Sequence, residues 1–117
     1  MTNNQISKRF DLEERTLEFS KNLIRILNTL PKNTVNINLI DQCVRSGTSV
    51  GANYREANET ETKKDFNFRI RICRKEAKET IYWLNLLVEN NKSNADSLRK
   101  WAQEAYEFVK IFAAITR

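Results

Sequence analysis

A chain of 117 residues with two Gly, one Pro, two Cys, no His and a formal charge of +5 is long enough for one domain around one core. So few turn-formers exclude a many-stranded sheet, and the lack of His removes the Ser-His and Cys-His nucleophile systems and the usual zinc and iron ligand sets. No run of roughly 18 apolar residues occurs and the N-terminus lacks an apolar signal core, so neither a membrane span nor a secretory signal is read, and the cytoplasm is the expected location.

Residues 1–10 are polar and aperiodic and read as a loose arm on a single domain covering 1–117. Asp11 offers an N-cap, with Glu13 and Glu14 in the first turn at the positive end of the helix dipole. Leu12, Thr16, Phe19, Leu23, Ile26, Leu27 and Leu30 then recur at steps of three and four, predicting a first helix that Pro31 ends.

A second helical pattern runs from about Ile37 to Asn58, with Leu39, Ile40, Cys43, Val44, Gly47, Val50, Gly51 and Tyr54 as its apolar face. Glycine inside a helix costs roughly 1 kcal/mol relative to alanine, so two on one face call for compensation. Close approach of a neighbouring helix supplies it. A phosphate-cradling loop over Gly47–Gly51 is the sharper alternative, but no GK[ST] follows and no strand precedes it.

On the other side of this helix, Gln42, Arg45, Ser49, Asn53 and Glu56 fall within an arc of about 80° at 100° per residue. They form either a solvated face or a ladder of paired polar groups buried against another subunit or a ligand. Cys43 and Cys73 sit in apolar patterns without metal spacing and read as reduced core residues.

The third helix, from about Lys63 to Glu89, carries nearly all of the excess charge. Lys63–Glu79 holds seven basic residues against three acids, a net of +4, and leaves thirteen against twelve in the other 100 residues. Phe66, Ile70, Cys73, Ala77, Ile81, Leu84 and Val88 form its core face. Lys64, Arg71, Lys75 and Lys78 cluster within about 60° on the opposite side, with Arg74 at the edge. Such a stripe suits a polyanion. A second apolar line, Phe68, Ile72, Trp83 and Leu87, lies off the core direction: either the helix is central and meets two neighbours, or the line is a subunit interface.

After Asn90–Asn94, with Asn94 or Asp96 as cap, Leu98, Trp101, Ala102, Ala105, Phe108, Val109, Phe112 and Ile115 predict a fourth helix. Short connections between four such helices imply an all-α, antiparallel up-down four-helix bundle.

Asp11–Leu23 (DLEERTLEFSKNL), Arg45–Asn58 (RSGTSVGANYREAN) and Lys63–Leu87 (KKDFNFRIRICRKEAKETIYWLNLL) resemble the four helix bundle protein family, which is encoded in intervening sequences of bacterial 23S ribosomal RNA genes and also called the S23 family. The likeness covers nearly the whole chain. Its most specific part is the pattern RS-x-x-S-x-x-AN-x-x-EA, matched by Arg45, Ser46, Ser49, Ala52, Asn53, Glu56 and Ala57. The resemblance implies a four-helix monomer that assembles into a ring-shaped homopentamer without known catalytic activity. A related group, the accessory variability proteins of diversity-generating retroelements, is similar in fold, pentameric and basic, and binds nucleic acid. Because the polar face of the second helix coincides with the signature, buried or intersubunit hydrogen bonds stand level with solvation as its explanation.

The expectation is a non-enzymatic homo-oligomer without cofactor or metal. It would bind RNA or DNA non-specifically through Lys64, Arg71, Arg74, Lys75 and Lys78, because charge on a helix face gives affinity without base discrimination. Phe68, Ile72 and Trp83 would form the oligomer interface, and Arg45, Ser46, Ser49, Asn53 and Glu56 the structural polar face. The alternative is a scaffold whose basic stripe docks an acidic protein. An enzyme would rest only on scattered polar residues such as Glu56, Glu76, Tyr54 and Ser46.

Overall fold

The structure is a computed structural model that describes the backbone of residues 3–116 and the side chains of residues 11–116. Among these residues the chain forms four α-helices and no strand: α1 (Asn3–Asn28), α2 (Thr34–Asn58), α3 (Lys63–Asn90) and α4 (Ala95–Ile115), with a 3₁₀ turn at Lys92–Asn94. None of these helices is long and apolar enough to cross a membrane.

The start of α1 corrects two expectations. Asp11 lies inside the helix rather than capping it, and most of the expected arm over residues 1–10 belongs to α1, because no Gly or Pro between 3 and 11 stops the helix from extending. Residues 1 and 2 lie outside the described residues. The later boundaries follow their caps. Asn33 accepts a hydrogen bond from the Asn36 amide at 2.9 Å and starts α2 a little before Ile37, and Thr62 accepts from the Asp65 amide at 3.1 Å at the head of α3. Asn94 occupies the cap position of α4 without a side-chain capping bond, and Asp96 stands in the first turn.

Cross-helix contacts run in opposite senses along neighbouring helices, which makes the bundle antiparallel. Between α2 and α3 they pass from Asn36–Asn91 through Ser46–Thr80 to Glu56–Arg69. Each helix packs on its neighbours in sequence, and α1 closes the bundle against α4 along its sparsest seam. There Arg15 grips Glu104 with two hydrogen bonds of 2.9 and 2.7 Å and lies 5.2 Å from the centre of the Phe108 ring. The resulting rod measures 47 × 22 × 19 Å.

Phe19, Phe108 and Phe112 are the largest fully buried side chains, with Leu23, Ile70, Leu84, Leu87 and Leu98 around them. Phe19 meets Phe108 edge-on at 5.3 Å, and Tyr54 reaches across the core to Phe112 at 5.9 Å. Cys43 and Cys73 are free and buried, as read from their apolar settings; burial pushes both thiols up to about 12, so neither is a reactive thiolate.

Gly47 and Gly51 lie within α2 and let α1 approach it closely. A Cβ on Gly47 would stand 2.2 Å from Leu23 Cδ2, and one on Gly51 2.9 Å from Thr16 Oγ1. Leu23 and Thr16 are themselves fully buried and have no room to retreat. The neighbouring helix therefore accounts for both glycines, and their helical backbone leaves no phosphate-cradling loop.

Candidate functional site

α3 holds its place between α2 and α4 by burying Ile70, Cys73, Ala77, Thr80, Leu84 and Leu87. That leaves Lys64, Arg71, Lys75 and Lys78 exposed together on the far side, as the periodicity predicts. From Lys64 to Lys78 the stripe runs ~21 Å along the helix at 1.5 Å per residue. Among the described residues none of the four has an acidic partner, whereas Arg45 and Arg69 at the boundary with α2 are both ion-paired. Arg74 stands half-buried at the edge, its Nε shielded from water and without a hydrogen-bond partner.

The polar residues of α2 divide by depth. Ser46 is fully buried, Ser49 and Asn53 are half-buried, and Arg45 and Glu56 are exposed. For these rungs the partner is α3 of the same chain. Thr80 Oγ1 donates to Ser46 Oγ at 2.8 Å, Arg45 reaches Glu76 at 3.3 Å and also pairs with Glu79, and Arg69 binds Glu56 at 2.9 Å and approaches Asn53 Oδ1 at 3.5 Å. Ser49 bonds within α2 instead, donating to the Arg45 carbonyl at 2.6 Å, and Asn53 bonds there as well, donating to the Ser49 carbonyl at 2.9 Å. Glu76 is 7% exposed, so Arg45 matters chiefly as the counter-charge of a carboxylate held out of water.

The second apolar line of α3 follows this ladder. Phe68 is 58% exposed, while Ile72 is half-buried and Trp83 packs partly against the core. Leu87, read with this line, is fully buried and belongs to the core. α3 does meet two neighbours, which accounts for the deeper members of the line, and Phe68 still faces outward, with Tyr82 and Leu86 further along the helix. Glu79 connects line and ladder, since it pairs with Arg45 and accepts a hydrogen bond from Trp83 Nε1 at 3.1 Å. One outer face of α2 and α3 therefore carries both the shallower signature residues Arg45, Ser49, Asn53 and Glu56 and the exposed aromatic.

Sequence reasoning missed the other halves of the rungs. Glu76 and Thr80 interrupt the apolar run of α3 at adjacent-turn spacing, and a polar pair inside a core line was the available signal. It also missed an asparagine cluster at one end of the bundle. Asn36, fully buried, and Asn91, 6% exposed, exchange two amide hydrogen bonds of 2.8 Å; Asn36 donates further to the Pro31 carbonyl and Asn91 to the Leu87 carbonyl, each at 2.8 Å, and Asn90 donates to Asn36 at 2.9 Å. Asparagines in polar connections carry no sequence signal that they will meet. Among the described residues no three His, Cys, Asp or Glu side chains converge to hold a metal.

Residues 8–114 match the model of the 23S rRNA-intervening sequence protein family. A protein with unknown function from the S23 ribosomal protein family from Bacteroides thetaiotaomicron has a similar structure: TM-score 0.79, 29% identity, with 91% of this chain and 98% of that one covered. No curated protein matches the chain significantly.

Proposed function

The chain belongs to the 23S rRNA-intervening sequence protein family, and on that premise we propose that it is a non-enzymatic, self-assembling helical protein that binds RNA or DNA through phosphate contacts along α3. One observation carries this reading. Lys64, Arg71, Lys75 and Lys78 are exposed and without an acidic partner among the described residues on one rigid rod, whereas Arg15, Arg45 and Arg69 are each ion-paired. A cationic row left free of internal partners is available to release the counterions of a polyanion.

Reversing Arg71 and Lys75 together to Glu is expected to weaken binding by about tenfold at low salt and to flatten the dependence of log affinity on log salt by roughly two contacts' worth. Fluorescence anisotropy over a salt series measures both. Unchanged affinity in the double variant would remove α3 as the contact surface.

Assembly is proposed through the outer face of α2 and α3, with the ring-shaped homopentamer as the expected form. The exposed Phe68 beside arginine and aliphatic neighbours has the composition of an interface core. Phe68→Glu is expected to lower the native mass to that of the monomer without changing the helical circular dichroism, because the residue contributes nothing to the monomer's core. Light scattering after size exclusion checks it, and an unaltered mass would place the interface elsewhere. The exposed stripe would also suit an acidic protein; nuclease treatment before purification separates the two partners, since only nucleic acid is lost with the 260 nm absorbance.

A further inference from the structure

Beyond its outward row, the α3 stripe turns toward α4. Arg74, Lys78, Ile81 and Asn85 recur at steps of four, three and four and so share one line along α3. On α4, Arg99, Gln103, Tyr106 and Lys110 recur in the same way. Where the two lines meet, Ile81, Asn85, Arg99, Ala102, Gln103 and Tyr106 line an open depression of about 490 Å³.

Its chemistry differs from that of the lysine-rich stripe. The floor is apolar, from Ile81 and the buried Ala102. Tyr106 is 49% exposed, and its ring is backed by Lys110, whose Nζ lies 5.0 Å from the ring centre. The amide of Asn85 and the guanidinium of Arg99 are exposed and make no hydrogen bond or ion pair among the described residues. Gln103 donates through Nε2 to Glu107 at 3.0 Å, which leaves its carbonyl oxygen to accept. An aromatic ring, two amides with open donors and acceptors, and a free guanidinium match a planar, polar-edged heterocycle attached to an anion.

We infer that this depression between α3 and α4 takes an unpaired nucleobase stacked on Tyr106, so that the chain binds single-stranded nucleic acid in preference to duplex. The inference rests on the phosphate-contact reading of α3 and narrows it. Lys78 and Arg74 continue the cationic row to the edge of the depression, and Arg99 places a further cation on its α4 side, so a strand held by its phosphates is led across the pocket. Bases in a duplex are stacked on one another and offer no free face, whereas single strands give each base to an aromatic platform. No contact in the site selects a particular base, because a ring face and rotatable amides serve any of the four.

The test measures anisotropy of the full-length protein with labelled mixed-sequence single strands of RNA and of DNA and with the duplex of equal length. Single strands of either sugar are expected to bind more tightly than the duplex. Tyr106→Ala is expected to weaken single-strand binding on the order of tenfold, Tyr106→Phe to retain it, and duplex binding to be unaffected by either. Photo-crosslinking of a halogenated single strand to the unsubstituted protein, read by mass spectrometry, is expected to mark the peptide containing Tyr106, and it tests the site even if the Ala variant folds poorly. Duplex bound as tightly as single strand, with Tyr106→Ala inert and no crosslink at the site, would overturn the inference and leave the phosphate contacts standing. Absence of binding to every oligonucleotide at low salt would overturn both.

Discussion

Asn36→Ala is expected to lower the free energy of unfolding by about 3 kcal/mol, the largest effect of any single truncation outside the apolar core. Asn36 is fully buried and stands at the centre of four side-chain hydrogen bonds, two exchanged with Asn91, one given to the Pro31 carbonyl and one received from Asn90. Truncation leaves the buried Asn91 Oδ1 without its donor, removes one of the two bonds of Asn91 Nδ2, which keeps the Leu87 carbonyl, and takes the side-chain partner from the Pro31 carbonyl; a buried orphan costs about 1–3 kcal/mol. The same pair ties the α1–α2 connection to the end of α3, so its loss also frees that end of the rod. Urea denaturation followed by circular dichroism measures the change. Asn91→Ala should cost a similar amount, and the double variant less than the sum, because both remove one amide pair. Additive losses would show that the two amides act separately.

Arg45→Ala is expected to cost about 2 kcal/mol, and Glu76→Gln in the same chain to recover most of it. Removing the partner of a fully buried charge costs about 3–5 kcal/mol; Arg45 itself is half exposed and screened by water, which reduces the figure. What remains is a carboxylate that is 7% exposed, deprived of the guanidinium 3.3 Å away. Glutamine keeps the shape and removes the charge, so recovery separates the unpaired charge from lost packing of the arginine stem. Denaturation of the four members of the cycle decides: if Arg45→Ala costs the same whether or not Glu76→Gln is present, Arg45 acts through its packing and its pair with Glu79 and not by neutralising Glu76.

These two sites show where sequence reasoning reached and where it stopped. Arg45 stood out as part of a patterned polar face and a family signature, but Glu76 was read only as one of several scattered polar residues and Thr80 sat unremarked in an apolar run. A polar side chain in such a run differs from a misplaced surface residue only by what faces it across the helix boundary. Phe68, Ile72 and Trp83 formed one line on the helix wheel, yet their depths differ because the wheel treats α3 as a straight cylinder in uniform surroundings. Trp83 comes beside Glu79 and the core, whereas nothing crosses over Phe68. The basic stripe was readable to the residue because exposure opposite a buried face follows from helical period alone. The start of α1 was misread, since Asp11 has the chemistry of a cap but nothing before it breaks a helix.

By itself the sequence determined four helices, their antiparallel order, the close approach at Gly47 and Gly51 and the cationic row on α3. Each of these is set by period, by a glycine's missing side chain or by the shortness of a connection, all local in the chain. Only the tertiary structure decided which polar groups meet, that Asn36 finds Asn91, that Arg45 neutralises Glu76, and that Tyr106 and Arg99 open beside Asn85. Such encounters depend on the rotation and axial offset of one packed helix against another, which the docking of the buried side chains sets closely and which no helix specifies alone.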